Sequence, residues 1–277
     1  MNRNLITFVL AAATTSVLAS RASAVDLPFS TGFESSQGYT NGSQLFANAN
    51  WNDDGQDSSG WTVTNSTVSG SGAASGSQWV LATAPVNTTG RIQWAVAPVT
   101  DFSTRPIITG SADVKLVSPA SGTLNRTTSA SVSAYNADLF MIASLSLIVD
   151  SQNTFGFGAN HMLLQFFDRG ASRMVYDIGS TPDLNHYYTL GLILDYSTGT
   201  YRGTVNGTLL SYVGSLAGAT DFHDFDMSVE GRTNTTGGQR ARAGFDNFSI
   251  TQTPTPGAAA LAGLAGSTLL RRRKRIC

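Results

Sequence analysis

Charged residues and cysteine are both scarce in this sequence of 277 residues. Charged residues make up 13% of the chain, about half the usual fraction in globular domains, and the formal net charge is -1. Only two of the 18 acidic residues, Glu34 and Glu230, are glutamates. This near-neutral balance gives no indication of a nucleic-acid partner.

The single cysteine, Cys277, is the last residue, so no disulfide bond forms within the chain. Glutamate and lysine, which are good polar helix formers, are nearly absent, whereas Gly, Ser, Thr and Asn are abundant. This composition favours strands joined by many turns. We expect stability to come from a large core or from a bound metal.

The N-terminus has the pattern of an export signal. Arg3 precedes an apolar stretch from Leu5 to Leu18, and the sequence Ala-Ser-Ala at 22–24 is a small-x-small cleavage site. We therefore predict a signal peptide over 1–24, export through the Sec machinery, and cleavage by signal peptidase before Val25. A cut after Ala19 and a buried N-terminal helix are the alternatives.

The clearest periodicity in the middle of the chain is two. In HYYTLGLILDYSTGTYRGTVNGTLLS, Tyr188, Leu190, Leu192 and Leu194 fall on one face of a strand, and Asn206-Gly207 favours a tight hairpin turn. This stretch predicts a three-stranded antiparallel meander. Further predicted strands are Trp61–Asn65, Gln78–Thr83, Arg91–Ala97, Ile107–Val117, Leu139–Val149, His161–Phe167, Arg173–Asp177, Phe222–Glu230 and Ala241–Thr251.

The low-complexity stretches Val68–Gly76 and Ser118–Ser131 are interpreted as loops. The apolar run Leu139–Val149 fits a strand buried on both faces, with a helix as the alternative. About a dozen short strands with polar turns predict an all-β domain over 25–252, a two-sheet antiparallel jelly-roll sandwich. It is expected to be flanked by the signal helix and by an apolar C-terminal helix.

Three segments resemble known β-sandwich families. YTLGLILDYSTGTYRGTVNGT looks like the strand, turn and strand of laminin-G-like and concanavalin-A-like jelly rolls. FSTGFES and ARAGFDNFSI resemble the first and last strands of such modules. The resemblance implies that the two terminal strands lie side by side in one sheet.

Catalytic motifs are missing from the sequence. Glycoside hydrolases of the concanavalin-A-like fold carry Glu-x-Asp-x-x-Glu on one strand, and here the two glutamates stand far apart. The histidines His161, His186 and His223 lack metal-ligand spacing, and there is no nucleophile elbow or phosphate-binding loop. We therefore expect a non-catalytic protein.

A calcium site follows from the same resemblance. Many jelly-roll modules bind a structural calcium through an acid near the start and another in the last strand, which implies Glu34 and Asp246 as ligands here. The alternative is that both are ordinary solvated residues at strand ends. Asp53, Asp54 and Asp57 form an acidic loop that is a weaker candidate for a second ion.

Exposed aromatic rings are the expected means of binding sugars, because a ring offers an apolar face to the C–H side of a pyranose. Trp51 and Trp61 flank the acidic loop and are the candidates for glycan binding. The alternative for each is a place in the core.

The C-terminus, TPTPGAAALAGLAGSTLLRRRKRIC, combines a proline motif, an apolar run and a basic cluster. The run Gly257–Leu270 spans about 21 Å as a helix, short of the hydrocarbon core of about 30 Å. Basic residues hold such an end on the cytoplasmic side during export. The residues concerned are Pro254, Thr255, Pro256 and Gly257 in the motif and Arg271, Arg272, Arg273, Lys274 and Arg275 in the cluster.

This ending resembles the PEP-CTERM sorting signal, so we assign 253–277 as a sorting tail. The resemblance implies transient insertion in the inner membrane, processing by an exosortase-like enzyme, and release to the cell surface or the exopolysaccharide matrix. Pro-Thr-Pro-Gly stands where the family has Pro-Glu-Pro, which leaves the processing enzyme open. A helix docked on the domain is the alternative.

Together these observations predict an exported, non-catalytic bacterial protein of the cell surface or the exopolysaccharide matrix. The first alternative is a polysaccharide-binding module with a specific glycan site. The second alternative is an unusual glycoside hydrolase.

Overall fold

The computed structural model describes residues 27–52, 60–67, 72–84, 89–94, 106–117, 126–168, 171–180, 183–184, 186–216, 218–232 and 241–253. The predicted signal peptide, the acidic loop with Asp53, Asp54 and Asp57, and the sorting tail from Pro254 onward lie outside the described residues. Within them, no helix is long and apolar enough to cross a membrane.

Fifteen strands make up the described part of the chain, with short 3-10 turns at Ser35–Gln37 and Leu45–Ala47. The strands are β1 Phe29–Thr31, β2 Trp51–Asn52, β3 Thr62–Thr64, β4 Trp79–Ala84, β5 Thr89–Trp94, β6 Ile107–Leu116, β7 Thr127–Tyr135, β8 Met141–Asp150, β9 His161–Asp168, β10 Ala171–Gly179, β11 Tyr188–Asp195, β12 Thr200–Val205, β13 Thr208–Ser215, β14 Asp224–Arg232 and β15 Ala241–Thr253.

These strands form two antiparallel sheets that pack face to face. One sheet has eight strands in the order β13-β12-β11-β6-β15-β4-β3, with β1 also paired to β15. The other has seven, in the order β10-β9-β8-β7-β14-β5-β2. The predicted all-β, two-sheet antiparallel sandwich is confirmed, and so is the pairing of the first strand with the last.

The meander predicted around Tyr188–Leu210 is confirmed as β11, β12 and β13. Leu190, Leu192 and Leu194 are buried in the core, as the alternation predicts. Asn206 and Gly207 both have positive φ, the conformation that a tight two-residue hairpin turn requires.

The loop prediction for Ser118–Ser131 is wrong from Thr127 onward, because β7 begins there. Its sequence TTSASVSAY alternates small residues, so it looks like a low-complexity loop. Ala130, Val132 and Ala134 nevertheless point into the core, while the serines point outward.

Gly203 on β12 allows the two sheets to come close together, because glycine has no side chain. A Cβ placed on Gly203 of β12 would overlap with Cζ of Phe166 on β9. Only glycine therefore allows this aromatic ring to pack against the backbone of the opposite sheet.

Candidate functional site

The outer face of the seven-stranded sheet carries a cleft of about 770 Å³, within the usual range for ligand sites. It crosses β5, β14, β7, β8 and β9, a width of about 19 Å at the usual strand spacing. The lining residues are mostly hydroxyl-bearing or basic: Thr89, Arg91, Arg126, Thr127, Ser129, Ser131, Ser133, Tyr135, Met141, Ser144, Ser146, Ile148, Thr154, Phe155, Gln165, Phe167, Ser228, Glu230 and Arg232.

Serine side chains form the floor of this cleft, because strand alternation sends them all to the same face. Register places Ser131 opposite Ser228 on β14 and opposite Ser146 on β8. Ser133 Oγ donates a hydrogen bond of 2.9 Å to Ser144 Oγ. The floor is therefore flat, polar and made of short side chains, so that a ligand can lie close to the sheet.

A cluster of ionisable groups stands at the end of the cleft where β7 ends. Arg91 Nη1 donates a hydrogen bond of 2.6 Å to Tyr135 Oη, and Arg91 Nε lies 3.1 Å from Asp226 Oδ2. Burial, and then the charge of Asp226, raises the pKa of Tyr135 to about 12, although Arg91 acts against this. Tyr135 therefore keeps its phenolic proton at neutral pH and can act as a proton donor.

His223 and Asp224 extend this cluster. Asp224 lies opposite Tyr135 in the pairing of β14 with β7, and it is buried. His223 Nδ1 lies 2.6 Å from Asp224 Oδ2, and this hydrogen bond raises the pKa of His223 despite its partial burial. The pair is a second group that can exchange a proton near neutral pH.

The opposite end of the cleft is basic and is bordered by the loop between β8 and β9. Arg126 Nε donates a hydrogen bond of 2.9 Å to Thr154 Oγ1 in that loop. Buried Asp150 accepts a hydrogen bond of 2.8 Å from the backbone N–H of Phe155, which fixes this aromatic residue at the cleft edge. Arg232, paired with Glu230, lines the same end.

The predicted calcium ligands belong to the other sheet, where Asp246 lies on the interior strand β15 and Glu34 follows β1, which pairs with β15; both lie close to Gly32. Glu34 accepts hydrogen bonds from the N–H and Oγ of Ser77, both at 2.7 Å. Buried Asp246 accepts bonds from the N–H groups of Ala74 and Ser75 at 2.9 and 3.1 Å. Both carboxylates therefore fasten one loop, 72–78.

The surroundings of Asp246 also change the pKa of its carboxyl group. Burial raises the pKa of Asp246 to about 6, although hydrogen bonds from Ser75, Asn247 and Ala74 oppose the rise. Among the described residues no group of three or more His, Cys, Asp or Glu side chains is placed to hold a metal ion. Calcium binding by Glu34 and Asp246 stays a prediction.

The predicted exposure of Trp51 and Trp61 is corrected by the structure. Trp51 is 2% exposed and packs against Phe248 with ring centroids 4.9 Å apart. Trp61 is fully buried and stacks on Phe245 at 5.1 Å. Their indoles fill the core between the sheets, so neither presents a face to a sugar.

Sequence reasoning missed Arg91, Tyr135 and the serines as site residues. The available signal was the alternation of serine in TTSASVSAY and of serine in SLS at 144–146. Two neighbouring strands with hydroxyls on alternate positions present a polar face, and the cleft lies on that face.

No protein-family model and no curated protein matches this chain. Solved structures do match. Alginate lyase AlyC3 has 12% identity and a TM-score of 0.46, with 63% of this chain and 75% of that chain covered. The Bacillus licheniformis β-glucanase has 12% identity and a TM-score of 0.46, with 81% and 97% covered. Alginate lyase AlyA1 from Zobellia galactanivorans has 13% identity and a TM-score of 0.44, with 65% and 79% covered.

The expectation of a non-catalytic surface or matrix protein is contradicted by this comparison, because the similar structures are named as enzymes that act on polysaccharides. At such identities and TM-scores, the likeness assigns no residue and no substrate to this chain.

Proposed function

We propose that this protein is a polysaccharide-active enzyme that binds a glycan chain in the serine-floored cleft and cleaves it beside Tyr135. The observation that carries the proposal is the geometry of the cleft end. There the phenol of Tyr135, which is only 6% exposed, accepts a hydrogen bond of 2.6 Å from Arg91 and lines the hydroxyl-rich cleft.

A polysaccharide fits the floor of the cleft better than an apolar ligand does. The serine and threonine hydroxyls donate and accept hydrogen bonds, as sugar hydroxyls do. Gln165 adds an amide, and Phe155 and Phe167 add apolar ring surface at the edge. An extended polymer also uses the whole width of about 19 Å across five strands, whereas a small molecule fills only part of it.

Tyr135 supplies the chemistry that breaking a glycosidic bond requires. The leaving oxygen gains a proton from Tyr135 as its bond to carbon breaks, since Tyr135 still holds a proton at neutral pH. The carbon loses its C5 proton in an elimination or gains the oxygen of water in a hydrolysis, and the His223–Asp224 pair next to Tyr135 is the base proposed to take up the proton released. Arg91 fixes the phenol in place through its bonds to Tyr135 and Asp226. Positioned proton donors accelerate reactions by roughly 10²–10⁴-fold, and we expect Tyr135 at the low end of this range, because its pKa of about 12 lies far above neutral pH.

The carboxylates of β14 do not present the pair that a glycoside hydrolase uses. Asp224 and Asp226 are both buried. Glu230 lies four residues farther along the strand than Asp226, about 13 Å away at the usual strand rise. Retaining and inverting pairs stand about 5 to 9.5 Å apart. An activity assay must therefore detect elimination as well as hydrolysis.

The test uses purified wild-type protein and Tyr135→Phe on a panel of acidic and neutral polysaccharides. The panel includes alginate and β-glucan, the substrates named for the similar structures. New reducing ends report either reaction, and ultraviolet absorbance of unsaturated uronate reports elimination alone. We expect Tyr135→Phe to lower the rate at least about 100-fold while binding changes little. A full rate in Tyr135→Phe would remove this residue from the mechanism.

The ends of the chain add a proposed route to the cell surface. The sequence over 1–24 supports export, and Pro254, Pro256 and the basic cluster Arg271–Arg275 support a PEP-CTERM-type sorting tail with its apolar helix. An exosortase-like enzyme would then release the domain to the surface or matrix. Mass spectrometry of the extracellular protein tests this, because an intact Cys277 there would refute processing.

A structural calcium at Glu34 and Asp246 is part of the proposal. Hard oxygen ligands from separated segments are what calcium binds, and these two carboxyls converge on the loop 72–78. A chelator is then expected to lower the melting temperature. An unchanged melting temperature would contradict the calcium site.

A further inference from the structure

The turn between β7 and β8 presents two large apolar side chains to solvent. Leu139 is 62% exposed and Phe140 is 71% exposed. Leu139 also has φ of 61°, a conformation that is rare and costly for a bulky residue. The chain therefore adopts an unfavourable backbone conformation at a point where it buries almost no apolar surface.

Three hydrogen bonds hold this turn in shape. Asn136 Oδ1 accepts a bond of 2.8 Å from the N–H of Phe140, and the carbonyl of Asn136 accepts one of 2.9 Å from the N–H of Leu139. The carbonyl of Phe140 in turn accepts a bond of 3.0 Å from the N–H of Asn136. The exposed ring of Phe140 is consequently carried by a well-defined turn.

An apolar groove of about 430 Å³ lies directly beside this turn. Its lining residues are Asn136, Phe140, Met141, Ile142, Leu216, Gly218 and Ala219. Met141 lines both this groove and the serine-floored cleft, and it pairs in register with Tyr135. The groove and the cleft therefore adjoin at Met141, at the end of the cleft where Tyr135 lies.

We propose that Phe140 and the adjoining groove form an additional sugar subsite, in which a residue of the same glycan chain stacks on the ring beyond Tyr135. This inference rests on the proposed function of the cleft. A pyranose has an apolar C–H face, and an exposed phenyl ring with an apolar groove at its side provides the complementary surface. The hydroxyl edge of the same sugar meets Asn136, the one amide in the groove lining.

The position of the subsite predicts which ligands it affects. A short oligosaccharide that occupies only the serine floor does not reach Phe140. A longer one extends past Tyr135 over the turn and gains the stacking contact. Affinity should therefore increase with ligand length, and the increase should depend on Phe140.

The test measures binding of short and long alginate and β-glucan oligosaccharides by titration calorimetry. Tyr135→Phe serves as the background, so that cleavage does not consume the ligand. Phe140→Ala is added to it, and Phe46→Ala is the matched control, because Phe46 is also an exposed phenylalanine but lines neither cavity. Phe140→Tyr keeps the ring and should keep the affinity.

We expect Phe140→Ala to weaken binding of long oligosaccharides by about three- to tenfold and to leave short ones unchanged. Because Phe140 is exposed, Phe140→Ala should leave the fold intact, and an unchanged melting temperature checks this. Equal affinity of Phe140→Ala and the background for long ligands overturns the subsite and leaves the cleft proposal standing. Absence of binding by every oligosaccharide overturns both proposals.

Discussion

Lys115 on β6 connects the eight-stranded sheet to the loop 72–78, so replacing it tests how much this connection stabilises the protein. Its side chain is fully buried, and Nζ donates a hydrogen bond of 2.6 Å to the carbonyl of Gly72. The same ammonium lies 4.1 Å from the ring centroid of Trp79 and 4.5 Å from that of Tyr187. Burial lowers the pKa of Lys115 to about 8 against the attraction of Asp246, so the group is mostly charged at pH 7.

Lys115→Met keeps the length of the side chain but removes its charge and its donor. A hydrogen bond from a charged group contributes about 1.5–3 kcal/mol, and a desolvated cation–π contact about 2 kcal/mol. Two effects offset part of this loss. The variant no longer has to keep an ammonium group away from water, and Tyr187 Oη still donates its hydrogen bond to the carbonyl of Gly72. Because Asp246 also loses its nearby cation, we expect a net decrease in the free energy of unfolding of about 3 kcal/mol.

Urea denaturation at pH 7, followed by tryptophan fluorescence, measures this change. With an m-value of about 2 kcal/mol per molar, the midpoint should fall by about 1.5 M. Adding Asp246→Asn should restore part of the loss, because the buried carboxylate charge is then also removed. A midpoint for Lys115→Met equal to or above the wild-type value would refute the assignment of Lys115 as a stabilising cation.

Two further predictions concern other parts of the sandwich. The hydrogen bond to Asp224 raises the pKa of His223 in the folded state. The stabilisation from this bond is therefore complete below the unfolded pKa of about 6.5 and is lost as pH rises through the folded pKa. His223→Gln should flatten the dependence of the free energy of unfolding on pH between pH 6 and 8, and an unchanged slope would contradict this. Gly203→Ala should lower the free energy of unfolding by about 1–3 kcal/mol, because the added methyl group meets the Phe166 ring. Thermal unfolding measures this decrease. An unchanged melting temperature would mean that the ring moves aside freely.

Local pattern was sufficient to predict the strands with strong alternation. The leucines of β11 and the Asn206-Gly207 turn specify a hairpin within a few residues, so no long-range information is needed. Pairing of β1 with β15 followed from the resemblance of the two end segments to jelly-roll strands. β7 was missed because serine and alanine alternate in it, and both are weak strand formers.

The cleft could not be predicted because it depends on the order of strands in the sheet. Arg91 and Tyr135 are 44 positions apart in the chain, and they meet only because β14 lies between β5 and β7. Local alternation also does not say which face the opposite sheet covers. For the same reason the sequence left open whether Trp51 and Trp61 are glycan-binding rings or core residues, and the structure places both in the core.

The central claim is that the serine-floored face of the seven-stranded sheet is the polysaccharide site. Ser146 lies on this floor, and Ser146→Trp fills it with an indole. Ser30→Trp is the matched control, since Ser30 is exposed on β1 in the other sheet. Binding and cleavage of the polysaccharide panel should be lost in Ser146→Trp and kept in Ser30→Trp, with both variants folded by circular dichroism. Equal activity of the two folded variants would contradict the account.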